Sequence, residues 1–556
     1  MQTFPSFEPA FPRSEWVLHR VLERQAAQRA DKPFLQWTDA NAPMSFGEVN
    51  REVNRRAHGF LQLGLRRRDV VVLFMANSLD YILTWFALNK IGAVEAPINT
   101  AYLGKFLEHQ VNICGASTLI ADAELLPHVR ASRANIPAVT TVVVRQSAGA
   151  GAVPVDLPGC RLVDLADIRS RNDADPGVPV RPADTAAIMF TSGTTGLSKG
   201  VLMPHAQLYM FSQIDCEAMQ LAQDDVYVTG LPFFHANAQL MTIYPCLIAG
   251  ARCVLYEKFS ASQWVERLHA TGATVTNSLG VMLPFVHAQP PGPRDSGHRL
   301  RRILSAPTPY GILDDFKRRF GVHEFAEGFG QTEICCPIMT PLGRGVARPP
   351  GAAGLLLDQW FDVRIVDPET DEELPTGEIG ELVVRPQVPW IINAGYVNMP
   401  VETHRAWRNL WFHTGDAVRR DADGWYYFVD RLKDALRRRG ENISSYEVEA
   451  PIREHPAVAE VAVVAVPSEL PGGEDEVKAC VVLNQGAALA PEALIAWCEG
   501  RIPAFAIPRY IEFLTQFPKT PSEKVQKNIL RAAGITAATW DRNGPPTTRP
   551  YRKLST

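Results

Sequence analysis

The sequence lacks long hydrophobic runs and any excess of basic charge. Its most apolar stretches, 70–94 and 231–256, are interrupted by charged residues, histidine and proline, so neither supplies the roughly 20 apolar residues that cross a bilayer. With 56 basic and 60 acidic side chains the net charge is −4, which excludes the basic footprint of a nucleic-acid-binding protein. The first residues, MQTFPSFEPAFPRSEW, carry no apolar run, so we expect a cytoplasmic protein.

Cysteine and lysine are also scarce. The nine cysteines form no CxxC pair and no metal-ligand spacing, and their odd number predicts reduced thiols rather than a disulfide framework. Only 12 lysines stand against 44 arginines, so the position of each lysine is informative.

Short strand and helix patterns alternate along the first half of the chain. The runs 69–75 and 93–99 are typical of buried strands, and 78–91 between them has a helical pattern. This alternation predicts an α/β fold, in which mostly parallel sheets are covered by helices on both faces. Residues 147–182 are rich in Gly, Pro and Asp and are predicted to form a surface linker.

The second half predicts two further regions and a tail. Short strands separated by turns over 352–385 indicate a small β-rich subdomain at about 345–430, within an N-terminal domain of residues 1–432. Residues 433–540 have the pattern of a compact α+β domain with its own core. We expect the polar tail, 541–556, to be poorly ordered.

The most informative segment is 188–205, IMFTSGTTGLSKGVLMPH. An apolar run leads into glycines, hydroxyl side chains and one lysine, which together suit a loop that wraps a polyphosphate. The Walker pattern is absent, and a Gly/Ser/Thr cluster alone is more often a flexible surface turn than a phosphate loop.

The string TSGTTGLSKG resembles the signature of the adenylate-forming (AMP-binding) superfamily, which includes acyl-CoA synthetases, luciferases and carrier-loading adenylation domains. Taken together, the motifs of this chain are most similar to those of the branch of crotonobetaine/carnitine-type CoA ligases. The resemblance implies that the loop holds the pyrophosphate of ATP. The loop residues concerned are Thr191, Ser192, Gly193, Thr194, Thr195, Gly196 and Lys199.

Two later motifs resemble the nucleotide-binding segments of the same family. In EGFGQTE the resemblance implies that Phe329 flanks adenine, Thr332 contacts the α-phosphate and Glu333 binds Mg²⁺, although seven residues with two glycines also suit a tight turn. In HTGD, Asp416 corresponds to the ribose-binding carboxylate. The remaining residues that the resemblance assigns to ATP or AMP are Thr308, Glu327, Gly328, Gln331, Phe428 and Arg431.

The C-terminal motifs imply a moving domain. PKTPSEKVQKNIL resembles the segment that carries the adenylation lysine, which corresponds to Lys524, and Lys433 and Asp434 correspond to the interdomain hinge. In the family the small domain rotates after adenylation and presents another face to an incoming thiol. The RRRGEN run then supplies candidate coenzyme A contacts, although it also suits an ordinary solvated turn. The arginines at 437–439 are candidates for the phosphates of the coenzyme. The assigned coenzyme A residues are Arg437, Arg439, Gly440 and Glu441.

Residues that line the acyl site in the family are small or polar in this chain. A lone histidine beside aromatics is often a core residue, but the resemblance places His235 at the acyl pocket as a catalytic residue with Lys524, Glu333 and Thr332. The set favours a small or polar carboxylic acid over a long aliphatic one. The pocket candidates are His235, Asn237, Ala238, Asn277, Leu279, Gly280 and Cys336.

Three positions depart from the family pattern. Glu523 replaces the usual glycine before the adenylation lysine, and its carboxylate could compete for that ammonium. The segment 305–309, SAPTP, carries an added proline that stiffens it. The string AFAIPRY lacks a lysine that contacts coenzyme A in the family.

The sequence therefore predicts an ATP-dependent carboxylic acid–CoA ligase that uses Mg²⁺, ATP, coenzyme A and a small carboxylic acid. We expect a monomer or homodimer with no nucleic-acid partner. Two alternatives remain open at this point: an adenylating enzyme that passes the acyl group to an amine or a carrier-protein thiol, and a non-catalytic nucleotide-binding protein.

Overall fold

The computed structural model describes residues 2–146, 157–191, 198–279, 282–431, 435–438, 441–468, 474–518, 525 and 527–544. The chain forms two compact units. The first comprises Met1–Thr100, Gln110–Phe190 and Gly200–Leu432, and the second comprises Ala101–His109, Thr191–Lys199 and Lys433–Thr556.

The strands are distributed over the whole chain. In chain order they are β1 (Pro33–Trp37), β2 (Met44–Ser45), β3 (Val70–Phe74), β4 (Val94–Pro97), β5 (Thr118–Asp122), β6 (Thr141–Arg145), β7 (Arg161–Asp164), β8 (Thr185–Thr191), β9 (Lys199–Pro204), β10 (Val226–Thr229), β11 (Arg252–Leu255), β12 (Val275–Leu279), β13 (Arg302–Ala306), β14 (Glu324–Ala326), β15 (Gly328–Gln331), β16 (Cys335–Met339), β17 (Gly354–Leu356), β18 (Phe361–Val366), β19 (Ile379–Pro386), β20 (Phe412–Arg420), β21 (Trp425–Arg431), β22 (Ala435–Arg438), β23 (Glu441–Ser444), β24 (Val458–Pro467), β25 (Asp475–Leu483), β26 (Tyr510–Leu514) and β27 (Trp540–Asp541).

The helices lie mostly between these strands. They are α1 (Leu18–Gln28), α2 (Phe46–Leu63), α3 (Leu79–Lys90), α4 (Gly104–Cys114), α5 (Leu126–Ser132), α6 (His205–Met219), α7 (Ala236–Ala238), α8 (Tyr244–Ala249), α9 (Trp264–Thr271), α10 (Met282–His287), α11 (Tyr310–Phe320), α12 (Pro400–Ala406), α13 (Ser445–Arg453), α14 (Pro491–Cys498) and α15 (Lys527–Ala533). A π-helical turn, Gln239–Ile243, joins α7 to α8, and short 3₁₀ turns occur at Arg13–Glu15, Ala123–Leu125, Arg133–Asn135, Leu165–Asp167 and Arg408–Leu410.

Local sequence explains where individual elements begin and end. Helix α2 begins with a capping box, because Ser45 accepts a hydrogen bond from the Glu48 amide and the Glu48 carboxylate accepts one from the Ser45 amide. The same helix ends at Gly64, whose φ of 112° is a left-handed conformation that glycine adopts without strain.

Two parallel sheets form the body of the first unit. Sheet A has the strand order β14-β13-β12-β10-β11-β1-β2, and sheet B has the order β7-β6-β5-β3-β4-β8-β9. In sheet A every pairing is parallel except the edge pair β1–β2. Central strands such as β4 and β5 are short and wholly buried, which is typical of parallel strands covered on both faces. The predicted α/β class is confirmed.

A third, antiparallel sheet completes the first unit. Sheet C has the order β15-β16-β17-β21-β20-β19-β18 and includes the region of the predicted β-rich subdomain, but it begins earlier than about 345, with β15 and β16. A large apolar cluster joins residues of all three sheets and includes Trp85, Tyr209 and Phe361.

The second unit has a small α+β core of its own. A four-stranded sheet, β24-β25-β26-β27, packs with α13 and α14 around residues such as Val463, Val481 and Leu494. Strands β22 and β23 form a separate antiparallel hairpin.

Two sequence expectations about irregular segments were wrong in part. The predicted linker 147–182 contributes strand β7, which pairs in parallel with β6 at the edge of sheet B. Within the predicted tail, Asp541 pairs with Tyr510 in β27, because an antiparallel strand there covers the edge of β26. Across the described residues, no helix is both long and apolar enough to span a membrane.

Candidate active site

The EGFGQTE motif forms a tight hairpin between β15 and β16. Phe329 pairs with Ile338, and the register shifts before Gln331 pairs with Cys335. A Cβ atom on Gly330 would lie 2.3 Å from the Cys335 carbonyl oxygen, so only glycine fits this approach. The tight turn expected from the glycines is therefore present, and it carries Thr332 and Glu333 at its tip.

Glu333 is buried and held by three polar side chains. The Tyr396 hydroxyl donates to Glu333 Oε1 at 3.1 Å. Gln207 Nε2 donates to the Thr332 and Glu333 carbonyl oxygens at 2.8 and 3.1 Å, and Asn393 Nδ2 donates to the latter at 3.0 Å. Both the backbone and the carboxylate of Glu333 are thus fixed before any ligand binds.

Tyr396 reaches this position because its own segment is paired with strand β9. Leu202 exchanges backbone hydrogen bonds with Ala394 and Gly395, and Val201 forms a β-bridge with Tyr396. Burial, with the neighbouring Glu333 carboxylate, raises the pKa of Tyr396 well above its usual value. The phenol therefore remains protonated and remains a donor to Glu333.

The donor chemistry around Glu333 fits Mg²⁺. Among the described residues, no group of three or more His, Cys, Asp or Glu side chains could hold a metal ion alone. Mg²⁺ in nucleotide sites is commonly bound by one or two carboxylates, with phosphate oxygens and water completing the octahedron. A single rigid carboxylate such as Glu333 fits that arrangement.

Two phenylalanines of sheet C form an aromatic pair at the predicted adenine site. The rings of Phe329 and Phe428 are nearly parallel, at 23°, with centroids 6.1 Å apart. Phe329 is buried, whereas Phe428 is 48% exposed. A half-exposed aromatic face of this kind suits a planar base.

Arg348, which the sequence analysis did not identify, connects Thr308 and Glu327. The Arg348 guanidinium pairs with Glu327 Oε2 and donates to Thr308 Oγ1 at 3.1 Å. The Thr308 amide also donates to Glu327 Oε2, at 3.3 Å. Arg348 and Glu327 side chains are only 9% and 11% exposed, so this is a buried charge pair.

Asp416, the predicted ribose carboxylate, is buried in β20 beside other predicted nucleotide residues. Gln331 Nε2 donates to Asp416 Oδ2 at 2.6 Å and to the Thr414 carbonyl oxygen at 2.9 Å. The register of the sheet pairs Asp416 with Arg431. Three predicted nucleotide contacts are therefore neighbours: Gln331, Asp416 and the backbone position of Arg431.

A charged network fixes the turn that presents Asp416. Glu381 accepts hydrogen bonds from His413 Nδ1 at 3.0 Å and from the Gly415 amide at 2.9 Å, and it pairs with Arg408. Burial by itself raises the pKa of Glu381, but these partners outweigh burial and lower it. Glu381 is thus ionised and anchors the HTGD turn.

The predicted acyl residues are gathered in part at the carboxyl ends of β10 and β12. Asn277 Nδ2 donates to Asn237 Oδ1 at 2.5 Å, which places these two side chains together. His235 flanks the start of α7 and is partly exposed, so it is not a sequestered core residue. Ala238 and Cys336 are buried members of the main apolar cluster, and Leu279 packs against it.

The adjacent cysteines are packing residues. Burial raises the pKa of both Cys335 and Cys336 far above the usual thiol value. The thiols are therefore protonated and do not act as nucleophiles. All nine cysteines are free.

Several predicted site residues lie at the edge of, or outside, the described residues. Thr191 ends β8 and Lys199 begins β9. The predicted residues outside the described ranges are Ser192, Gly193, Thr194, Thr195, Gly196, Gly280, Lys433, Asp434, Arg439, Gly440 and Lys524.

The RRRGEN run forms part of the β22–β23 hairpin. Its register pairs Arg437 with Asn442 and Arg438 with Glu441. Arg438 is buried, pairs with Glu476 at 2.6 Å and donates to the Phe505 and Ile507 carbonyl oxygens. The expectation that 437–439 as a whole is a solvated turn or a phosphate contact is thus wrong for Arg438, which stabilises the second unit.

The chain is similar to known proteins over most of its length. A family model for AMP-binding enzymes matches residues 22–396, and a model for the C-terminal domain of AMP-binding enzymes matches residues 447–524. Crotonobetaine/carnitine–CoA ligase of Salmonella agona (strain SL483) is 32% identical over 499 residues, which cover 88% of this chain and 93% of that relative.

Solved structures extend the likeness to nearly the whole chain. ATP-bound MatB from Rhodopseudomonas palustris aligns with a TM-score of 0.65 at 26% identity, over 93% of this chain and 98% of that one. The amide bond synthetase McbA from Marinactinospora thermotolerans aligns with a TM-score of 0.78, over 93% of this chain and 99% of that one, and at 23% identity it is similar in fold. The resemblance read from the motifs is confirmed: the chain belongs to the adenylate-forming, AMP-binding superfamily of ATP-binding ligases.

Proposed function

We propose that this protein is an ATP-dependent carboxylic acid–CoA ligase. It activates an acid as acyl-AMP with release of pyrophosphate and then transfers the acyl group to coenzyme A. The observation that carries the proposal is the buried Asp416 carboxylate, which Gln331 holds in the same sheet as Phe329 and the Glu333 hairpin.

The chemistry requires this kind of site because a carboxylate is a poor electrophile. Its transfer onto AMP creates a mixed anhydride with a good leaving group, which a thiol can attack. The first step brings two anions together, so positive charge must neutralise the acid and the α-phosphate. We assign that role to Lys524, a compact and mobile ammonium, and assign Thr332 and Lys199 to phosphate oxygens.

Mg²⁺ held by Glu333 would supply neutralisation of the phosphates and orient the leaving pyrophosphate. The contribution of the chain itself is rigidity, since Tyr396 and Asn393 fix Glu333 before ATP binds. Asp416 accepts the two ribose hydroxyls, and Phe329 with Phe428 contacts the adenine face.

Coenzyme A is the acceptor that we favour. The Salmonella relative is named a CoA ligase, and it shares most of its length with this chain. We assign Arg437, Arg439, Gly440 and Glu441 to the coenzyme, presented after a rotation about Lys433 and Asp434. An amine acceptor is the second candidate, because the amide bond synthetase McbA has the same fold.

The test is a panel of short and polar carboxylic acids incubated with ATP and Mg²⁺, with and without coenzyme A or an amine. We expect acid-dependent pyrophosphate release, AMP as the nucleotide product, and a thioester formed only with coenzyme A. Lys524→Ala should lose adenylation yet still convert a supplied acyl-adenylate to thioester. Lys519→Ala, in the same segment, serves as the matched control and should retain adenylation.

Two results would contradict the proposal. Release of ADP and phosphate would exclude adenylation, and an amide product with no thioester would establish the amine acceptor instead.

A further inference from the structure

Two asparagines meet at the sheet edge where the proposed function places the acyl group. Asn277 lies in β12, and Asn237 lies in α7, which follows β10. Strands β10 and β12 are parallel neighbours, with Val228 opposite Thr276. Their carboxyl ends therefore lie at the same edge of sheet A, which is where open α/β sheets bind ligands.

The amide of Asn277 is saturated by hydrogen bonds. Its Nδ2 donates to Asn237 Oδ1 at 2.5 Å and to Thr242 Oγ1 at 2.7 Å, and its Oδ1 accepts from Thr229 Oγ1 at 3.3 Å. A primary amide has two N–H donors, so Asn277 has no donor left for a ligand. Asn277 is also only 3% exposed.

The surrounding backbone is built to hold this orientation. The Leu231 amide donates to Thr229 Oγ1 at 3.2 Å, which occupies an acceptor position and leaves the Thr229 hydroxyl hydrogen for Asn277. Thr242 lies in the π-helical turn, Gln239–Ile243. A π turn rotates the following side chains relative to a regular helix, and such turns are frequent at functional sites.

The fixed amide of Asn277 dictates how Asn237 is oriented. Asn237 has to offer its Oδ1 to Asn277, so its Nδ2 points away from that contact. Within the described ranges, Asn237 Nδ2 has no protein acceptor, and the side chain is partly exposed. At this position, next to His235 in the sequence, the site therefore presents the N–H donor of Asn237.

We infer that the acid substrate carries a hydrogen-bond-accepting oxygen on its chain, such as a carbonyl, ether or hydroxyl, and that Asn237 Nδ2 donates to it. This inference rests on the proposed function, which places the acyl group at this edge. A wholly aliphatic acid would remove water from the Asn237 amide without replacing the hydrogen bond, and the loss of one such bond costs on the order of 10- to 100-fold in kcat/KM.

The experiment compares short straight-chain acids with matched acids in which one methylene is replaced by a carbonyl or an ether oxygen. Acid-dependent exchange of labelled pyrophosphate into ATP is measured with the full chain. We expect the oxygen-bearing acid to be preferred on the order of 10- to 100-fold. Asn237→Leu should remove that preference, because it removes the donor and retains bulk.

A second variant tests the direction of the amide. In Asn277→Asp the carboxylate can only accept, so Asn237 should turn its Nδ2 inward and present Oδ1 to the substrate. The preference should then shift toward acids that bear a donor such as an ammonium group. Asn172→Asp is the matched control, since the exposed Asn172 uses only its Oδ1, which accepts from Ala174, and aspartate preserves that bond.

The outcomes separate the two proposals. If no acid supports exchange, the proposed function fails and the inference fails with it. If acids support exchange but oxygen-bearing ones gain nothing, or if their advantage survives in Asn237→Leu, the inference alone is overturned. Should Asn277→Asp not fold, the Asn237→Leu comparison still decides the matter.

Discussion

Arg348→Met should destabilise the protein, because it breaks a buried charge pair with the predicted nucleotide residue Glu327. Arg348 is paired with Glu327 and bonded to Thr308, and both charged side chains are about nine-tenths buried, at 9% and 11% exposure. Methionine fills much of the same volume but leaves the Glu327 carboxylate buried without its counter-ion. Removal of one partner of a buried pair costs about 3–5 kcal/mol, far more than an exposed pair.

The magnitude can be followed in two measurements. A loss of about 3 kcal/mol lowers the thermal midpoint by about 6 °C, at the 2 °C per kcal/mol typical of larger domains. If half of that cost falls on the conformation that binds ATP, the KM for ATP rises about tenfold, since 1.4 kcal/mol corresponds to a factor of ten. The assays are scanning calorimetry and pyrophosphate exchange at varied ATP.

The double variant Arg348→Met/Glu327→Gln provides the decisive comparison. It removes both charges, so it should recover most of the loss in thermal midpoint. Arg364→Met is the matched control, because Arg364 and Glu373 are 47% and 50% exposed at 3.6 Å and should contribute less than about 1 kcal/mol. If Arg348→Met behaves like Arg364→Met, or if the double variant recovers nothing, the buried pair does not support the site.

Three further predictions follow from single contacts. Tyr396→Phe removes one hydrogen bond to Glu333. In a melting assay with ATP, the Mg²⁺ concentration that gives half-maximal stabilisation should rise on the order of tenfold. An unchanged Mg²⁺ requirement contradicts the assignment of Glu333. Asp416→Asn removes the charge expected to bind ribose and should raise the KM for ATP on the order of tenfold or more in pyrophosphate exchange, whereas an unchanged KM would show that the ribose binds elsewhere. Burial lowers the pKa of His205 from 6.5 to about 4, against the opposing effect of Asp184. Between these pH values the unfolded chain binds a proton that the folded chain does not. The free energy of unfolding therefore keeps its full value above pH 6.5 and decreases as the pH falls toward 4. In His205→Gln that part of the dependence, on the order of 3 kcal/mol, should vanish from thermal midpoints measured between these pH values, and an undiminished slope would contradict it.

The motif residues and the alternation of strands and helices could be predicted from sequence because both are local. EGFGQTE is a continuous string, and its glycines are explained by contacts within one hairpin, as at Gly330. The same holds for β24, whose β-branched run over Val458–Pro467 is a strand throughout its length.

The residues that hold the motifs in place were missed because they come from distant parts of the chain. Arg348 is 21 residues from Glu327, and Tyr396 is 63 residues from Glu333. An arginine is also uninformative in a chain that has 44 of them. Nothing in a local pattern marks Tyr396, whose role depends on the pairing of its segment with β9.

Burial and strand pairing also determine structural roles that the sequence alone left open. The three arginines 437–439 are equivalent in sequence, but Arg438 is 7% exposed and paired with Glu476. Trp540 and Asp541 are followed by a polar, proline-containing stretch, yet they form β27 because the edge of β26 offers unpaired backbone groups.

The most direct test of the central claim is the fate of the oxygen atoms of the acid. A carboxylic acid labelled with heavy oxygen at both carboxyl positions is converted in the presence of ATP, Mg²⁺ and coenzyme A, and the products are analysed by mass spectrometry. Adenylation makes one carboxyl oxygen the bridge to the α-phosphorus, so cleavage by the thiol leaves one labelled oxygen in AMP. Label in AMP, with none in pyrophosphate, is the result that we predict. Label in inorganic phosphate with ADP as the other product, or no label in any phosphate, would contradict it.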